Sequence, residues 1–78
     1  MWVLMAFRKD ADQLIEEIPL ADLSLDVVRG LWPDNSDDAL RGLAFPVDAR
    51  RSPTIERFAG WPVNLDLADY FVEWIADK

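Results

Sequence analysis

Tyr70-Phe71-Val72-Glu73-Trp74-Ile75 is the stretch on which the fold turns. As a strand it completes a sheet, and as a helix it leaves that sheet one strand short. Its aromatic and β-branched residues suit a strand. Against this, Asp66, Asp69, Glu73 and Asp77 follow one another at spacings of three, four and four, which is one narrow stripe of a helix. Periodicity alone therefore favours a helix. What tips the reading lies outside the stretch, because a hairpin and one further strand need another strand to form a stable sheet. We read a strand over Tyr70–Ile75, with a helix as the alternative.

The hairpin comes first in the chain. Trp2-Val3-Leu4-Met5-Ala6-Phe7 is apolar at every position, as expected of a central strand buried on both faces. Arg8-Lys9-Asp10-Ala11-Asp12 is a polar turn. Beyond it, Leu14, Ile18 and Leu20 share one parity with Glu16, and Ile15 and Glu17 share the other, a looser alternation that suits a strand nearer the edge. Pro19 fits an edge, where its missing N–H is tolerated.

Between hairpin and final strand lie two predicted helices and a short strand. Ser24 is an N-cap, with Leu23 and Val28 placed as a hydrophobic staple. Leu25, Val28, Leu31 and Trp32 recur at helical spacing until Pro33 stops the helix. In the third strand Leu43, Phe45 and Val47 alternate with the smaller Gly42, Ala44 and Pro46. The second helix starts either from Asp48 or from Ser52, with Pro53 favouring the shorter version, and ends at Gly60 and Pro62. The expected fold is α+β: one domain over residues 1–78, ββαβαβ, with a small antiparallel or mixed sheet of about four strands and two helices on one face. Strand order is left open.

A chain of 78 residues holds one core at most. With no Cys and no His, neither disulfides nor the usual zinc ligands reinforce it, and packing has to suffice. The means are four Trp, four Phe and one Tyr within a chain that is 51% hydrophobic. The same absence removes thiol chemistry, Cys- or His-ligated haem and iron–sulfur centres, and every His-based triad. A formal charge of −7 repels a phosphate backbone and favours a positively charged partner. The apolar run after Met1 has no basic segment before it and is too short for a signal-peptide core or a membrane span, so a cytoplasmic location is expected.

No motif fixes a chemistry. Asp34, Ser36 and Asp38 match the first, third and fifth positions of a calcium loop, but Ala39 replaces its glycine and Phe45 its final Glu. A solvated turn explains these residues better. Glu16 and Glu17 are neighbours on a strand and point to opposite faces, and Asp66 with Asp69 has no supporting pattern as an acid–base pair. Ser24, Ser52 and Thr54 lack an activating base, and the isolated Gly30, Gly42 and Gly60 make no phosphate loop. Arg50-Arg51 reads as a solvated helix start. No cofactor, metal or catalytic role is expected.

The oddity is the second face of the sheet. Two helices cover one side, yet the first strand is apolar on both, and the last offers Tyr70, Val72 and Trp74 on one parity with Phe71 and Ile75 on the other. Exposed apolar patches anchored by Trp and Tyr mark interfaces. The competing reading is that loops or the C-terminal segment cover that face.

The order of an aromatic strand, a hairpin, a helix ending in Leu31-Trp32, Ala44-Phe45-Pro46-Val47, a helix, Val63-Asn64-Leu65 and Tyr70-Phe71-Val72-Glu73 resembles a group of short bacterial α+β proteins of unknown function. In that group a Tyr-Pro-Val or Tyr-Pro-Ile strand precedes the second helix, and a Tyr-Phe-Leu-Glu or Tyr-Phe-Val-Glu strand closes the chain. Pro53 and the acidic loop depart from its pattern. Size, acidity and the α+β pattern are also similar to those of bacterial immunity proteins, which neutralise a cognate, often basic, toxin domain by occluding its active site. That likeness implies a cytoplasmic binding protein of the immunity or antitoxin type, without catalysis. Asp34, Asp37, Asp38, Asp66 and Asp69 would steer a basic partner, and Tyr70 and Trp74 would anchor it. A self-associating homodimer is the alternative.

Overall fold

A run apolar at every position is best placed inside a sheet, and β1 (Trp2–Arg8) lies there, hydrogen-bonded on one side to β2 (Leu14–Pro19) and on the other to β4 (Ala68–Trp74). The structure, a computed structural model, describes residues 1–36, 40 and 42–76. Its sheet has four strands in the order β2-β1-β4-β3, with β3 spanning Ala44–Pro46, and every pair is antiparallel. Helix α1 (Leu25–Leu31) connects the two edges of the sheet, and α2 (Ser52–Ala59) connects β3 to β4.

The final stretch is thus a strand. It pairs with β1 from Trp2↔Trp74 to Arg8↔Ala68, a continuous register. Acids four residues apart had pointed to a helix, but a spacing of four is also two full strand repeats. Asp69 and Glu73 therefore share one face of β4, while Asp66 lies in the turn before it.

The parity expected for β2 needs correction. Ala6 pairs with Glu16 but Phe7 pairs with Leu14, so Ile15 is the extra residue of a β-bulge. The slip turns Leu14 to the side of Phe7, opposite Ile18.

The helices start and stop by local chemistry. The Ser24 hydroxyl accepts a hydrogen bond from the Val27 N–H at 3.3 Å, and the Trp32 N–H reaches the Val28 carbonyl at 2.9 Å before Pro33. Both expected starts of α2 contribute. The helix begins at Ser52, and the Asp48 carboxylate accepts from the Arg51 N–H at 2.9 Å in the turn ahead of it. Gly60 ends α2 at φ 62°, the left-handed conformation that suits glycine, with its N–H bonded to the Glu56 carbonyl at 2.9 Å.

The core lies between the helices and one face of the sheet. Trp2, Leu4 and Ala6 from β1, Tyr70 and Val72 from β4, and Phe45 from β3 meet Leu23, Val28, Trp32, Leu40, Val47 and Ile55. Trp32 and Phe45 stack at 4.9 Å, and Trp2 and Trp74 meet edge-on at 5.2 Å. Arg51 ties the two helices together: its guanidinium sits over Trp32 and donates to the Leu31 carbonyl at 2.7 Å.

Candidate functional site

Antiparallel partners point to the same side of a sheet, so the register maps the face opposite the helices. Pro19, Val3, Glu73 and Ala44 form its first row, and Glu17, Met5, Phe71 and Pro46 its second. Leu14, Phe7 and Asp69 form the third. None of these side chains belongs to the core cluster, and no described helix contributes to this face.

The pattern is a stripe with margins. Val3, Met5 and Phe7 run along β1, and Phe71 joins them from β4, its ring edge-on to Phe7 at 5.8 Å. Val3 is only 4% exposed, whereas Met5, Phe7 and Phe71 are half-buried and Leu14 is 46% exposed. Carboxylates stand on both sides: Glu17 on β2, and Glu73 and Asp69 on β4. Lys9 is the cation beside them, its Nζ 3.2 Å from Asp69 Oδ1. The arrangement is apolar in the middle and negative along the edges, which suits recognition rather than bond making.

The residues expected to bind a partner are dispersed. Asp69 lies on this face, exposed. Tyr70, expected as an anchor, is instead a core residue: it is 7% exposed, and its hydroxyl accepts from the Asn64 N–H at 3.3 Å. Trp74 is on the helix-covered side as well, half-buried against Trp2. Asp34 is exposed in the loop after α1, and Asp66 in the turn before β4, away from the stripe in the sheet. Asp37 and Asp38 lie outside the described residues. Met5, Phe7, Leu14, Glu17, Phe71 and Glu73 were not expected as site residues. The parities of the two central strands carried the signal for Met5, Phe7, Phe71 and Glu73, that of β2 for Glu17, and the bulge hid Leu14.

A concavity of about 230 Å³ lies between Gly30, Leu31, Pro33, Arg50 and Arg51. Arg51 is committed there to Leu31, Trp32 and Asp48. The hydrogen bond from the Arg51 N–H holds the Asp48 carboxyl below its ordinary pKa. These contacts make this a helix junction. Among the described residues no helix is long and apolar enough to cross a membrane.

A family model described as a domain of unknown function (DUF7683) matches residues 1–73. No curated protein and no solved structure matches the chain.

Proposed function

We propose that this chain, which belongs to the DUF7683 family, is a protein-binding domain that docks a basic partner on its open sheet face. One observation carries the reading: an apolar stripe of Met5, Phe7 and Phe71, continued at one end by the buried Val3 and bounded on both sides by carboxylates, on the face that the described helices leave bare. Apolar area supplies affinity when covered, and the acidic margins supply steering and register. The net charge of −7 extends that attraction over the whole molecule. The form of action we favour is that of a bacterial, cytoplasmic immunity or antitoxin protein, which blocks its partner's working surface by occupying it. That reading has no catalytic step and needs no cofactor.

A second copy of the chain is a poorer occupant. A symmetric dimer through this face would set Glu17, Asp69 and Glu73 of one protomer near the same residues of the other, with one Lys9 on each side to offset them. A basic partner removes that repulsion.

The test is to capture a partner from the native cells at low salt, purify both proteins and measure their affinity against salt. Wild type binds with strong salt dependence, Glu17→Lys with Glu73→Lys weakens binding, and Asp34→Lys leaves it nearly unchanged. If the loop variant weakens binding as much as the face variant, the contact is not this face. A dimer that persists at high salt and blocks partner binding overturns the reading.

A further inference from the structure

Resting on that reading, we infer that the element the partner lays on this face is an amphipathic α-helix, running along β1, with an apolar seam and Lys or Arg on both of its flanks. Three features of the sheet point to a helix. The first is shape. The apolar stripe follows one strand, Val3 to Phe7, for about 14 Å at the strand rise of roughly 3.4 Å per residue. A helix covers that length in about nine residues, and its width of about 10 Å spans two neighbouring strands. β1 and β4 supply the apolar groups within that width.

The second feature is the placement of charge. Glu17 stands at one margin, and Glu73 and Asp69 stand at the other, above and below Phe71 along β4. Asp69 already has Lys9 at 3.2 Å, so the carboxylates left for a partner are Glu17 and Glu73, and a helix with basic residues on one flank alone would meet only one of them. Basic residues on both flanks, beside an apolar seam at the i, i+3, i+4, i+7 positions, meet both.

The third feature is that the sheet edges are poorly suited to an extended partner. The outer edge of β2 is interrupted by the bulge at Ile15 and by Pro19. The opposite edge is β3, which has three residues and contains Pro46. Bulges, proline and short length are the devices by which edge strands resist strand addition. The face remains, and side chains from a helix pack onto a sheet face without needing its backbone groups.

The experiment titrates the protein with synthetic peptides of about fourteen residues, long enough for several helical turns. One has Leu along one seam and Lys on both flanks. A second has the same composition in an order without an apolar face, and a third carries Glu in place of Lys. Methyl NMR of the protein reports the contact. We expect the first peptide to shift Val3, Met5 and Leu14 while Val28 and Val72 stay still, and the other two to leave all five unmoved. Glu17→Lys with Glu73→Lys should lower its affinity about tenfold or more, the loss of roughly 1.4 kcal/mol. Phe71→Ser should lower it similarly, with a thermal melt confirming that each variant is folded.

Equal binding by the disordered-sequence peptide would reduce the effect to charge alone and overturn the inference, as would shifts confined to the helix-covered side. Two failures are distinguishable. If the native partner requires Phe71 but the Leu–Lys peptide does not bind, the helix inference falls and the docking face stands. If the native partner binds Phe71→Ser as well as wild type, the docking face itself falls.

Discussion

The two faces of this sheet are built from alternate residues of the same strands, yet they do different work. On one side Leu4, Val72 and Ile55 are completely removed from water. On the other, Met5 and Phe71, the chain neighbours of Leu4 and Val72, stay half-buried between carboxylates. Along β1 the two faces are equally apolar, Trp2, Leu4 and Ala6 on one and Val3, Met5 and Phe7 on the other. What separates them is the helices, which lie on one side and turn it into a core. The difference teaches that a residue's contribution to stability here follows the layer above it more than its own hydrophobicity.

The largest effect should come from cutting the covered face. Leu4→Ala leaves a cavity and is expected to cost about 2–5 kcal/mol, enough to unfold much of so small a domain. Met5→Ala, one residue away, should cost about 1 kcal/mol or less, because its site is already partly in water. Urea titration of both variants checks this. Equal losses would mean that the second face is covered too.

Tyr70→Phe sharpens the same contrast, since it keeps the ring and removes the hydroxyl that accepts from Asn64. Leaving that N–H without its partner should cost about 1–2 kcal/mol. In a domain of this size the melting temperature would fall by several degrees, at roughly 4–8 °C per kcal/mol. Partner affinity should not change. A loss of affinity at constant stability would return Tyr70 to the binding surface.

Phe71→Ala should reverse that pattern. Losing the edge-on contact with Phe7 costs about 1 kcal/mol of stability. Its main consequence should be weaker partner binding, read by calorimetry with the purified pair.

The smallest effect concerns the turn that leads into the helix layer. The Asp48 carboxyl titrates below its ordinary value because it accepts the Arg51 N–H. A lowered folded pKa adds stability above the unfolded value, and that stability is lost as pH falls through the folded one. Asp48→Asn should therefore lower the melting temperature slightly at neutral pH. The gap should close as pH falls below the ordinary carboxylate range. A gap of constant size across that range would show that the charge of Asp48 does not matter.

Much of the fold was legible because its signals are local. Ser24, Pro33 and Gly60 mark helix ends through their own backbone chemistry, and the unbroken apolar run of β1 announces a central strand. Alternation along β1 and β4 also revealed that two apolar faces exist. It did not reveal which would be covered. Tyr70 and Phe71 are neighbouring aromatic residues, and parity separates them without saying which one meets α1 and α2. Leu14 was misplaced for a related reason: a bulge is a property of a pair of strands, and one strand's sequence does not show where its partner slips.

Side-chain identity and near-neighbour spacing alone set the types of the elements before the final strand, the absence of thiol and imidazole chemistry, and the negative charge. Any short segment carries these with it. The tertiary structure alone decided the strand order β2-β1-β4-β3, the side on which the helices lie, and so the composition of the open stripe. Those depend on contacts between segments far apart in the chain, where many pairings satisfy the same local pattern and packing selects among them.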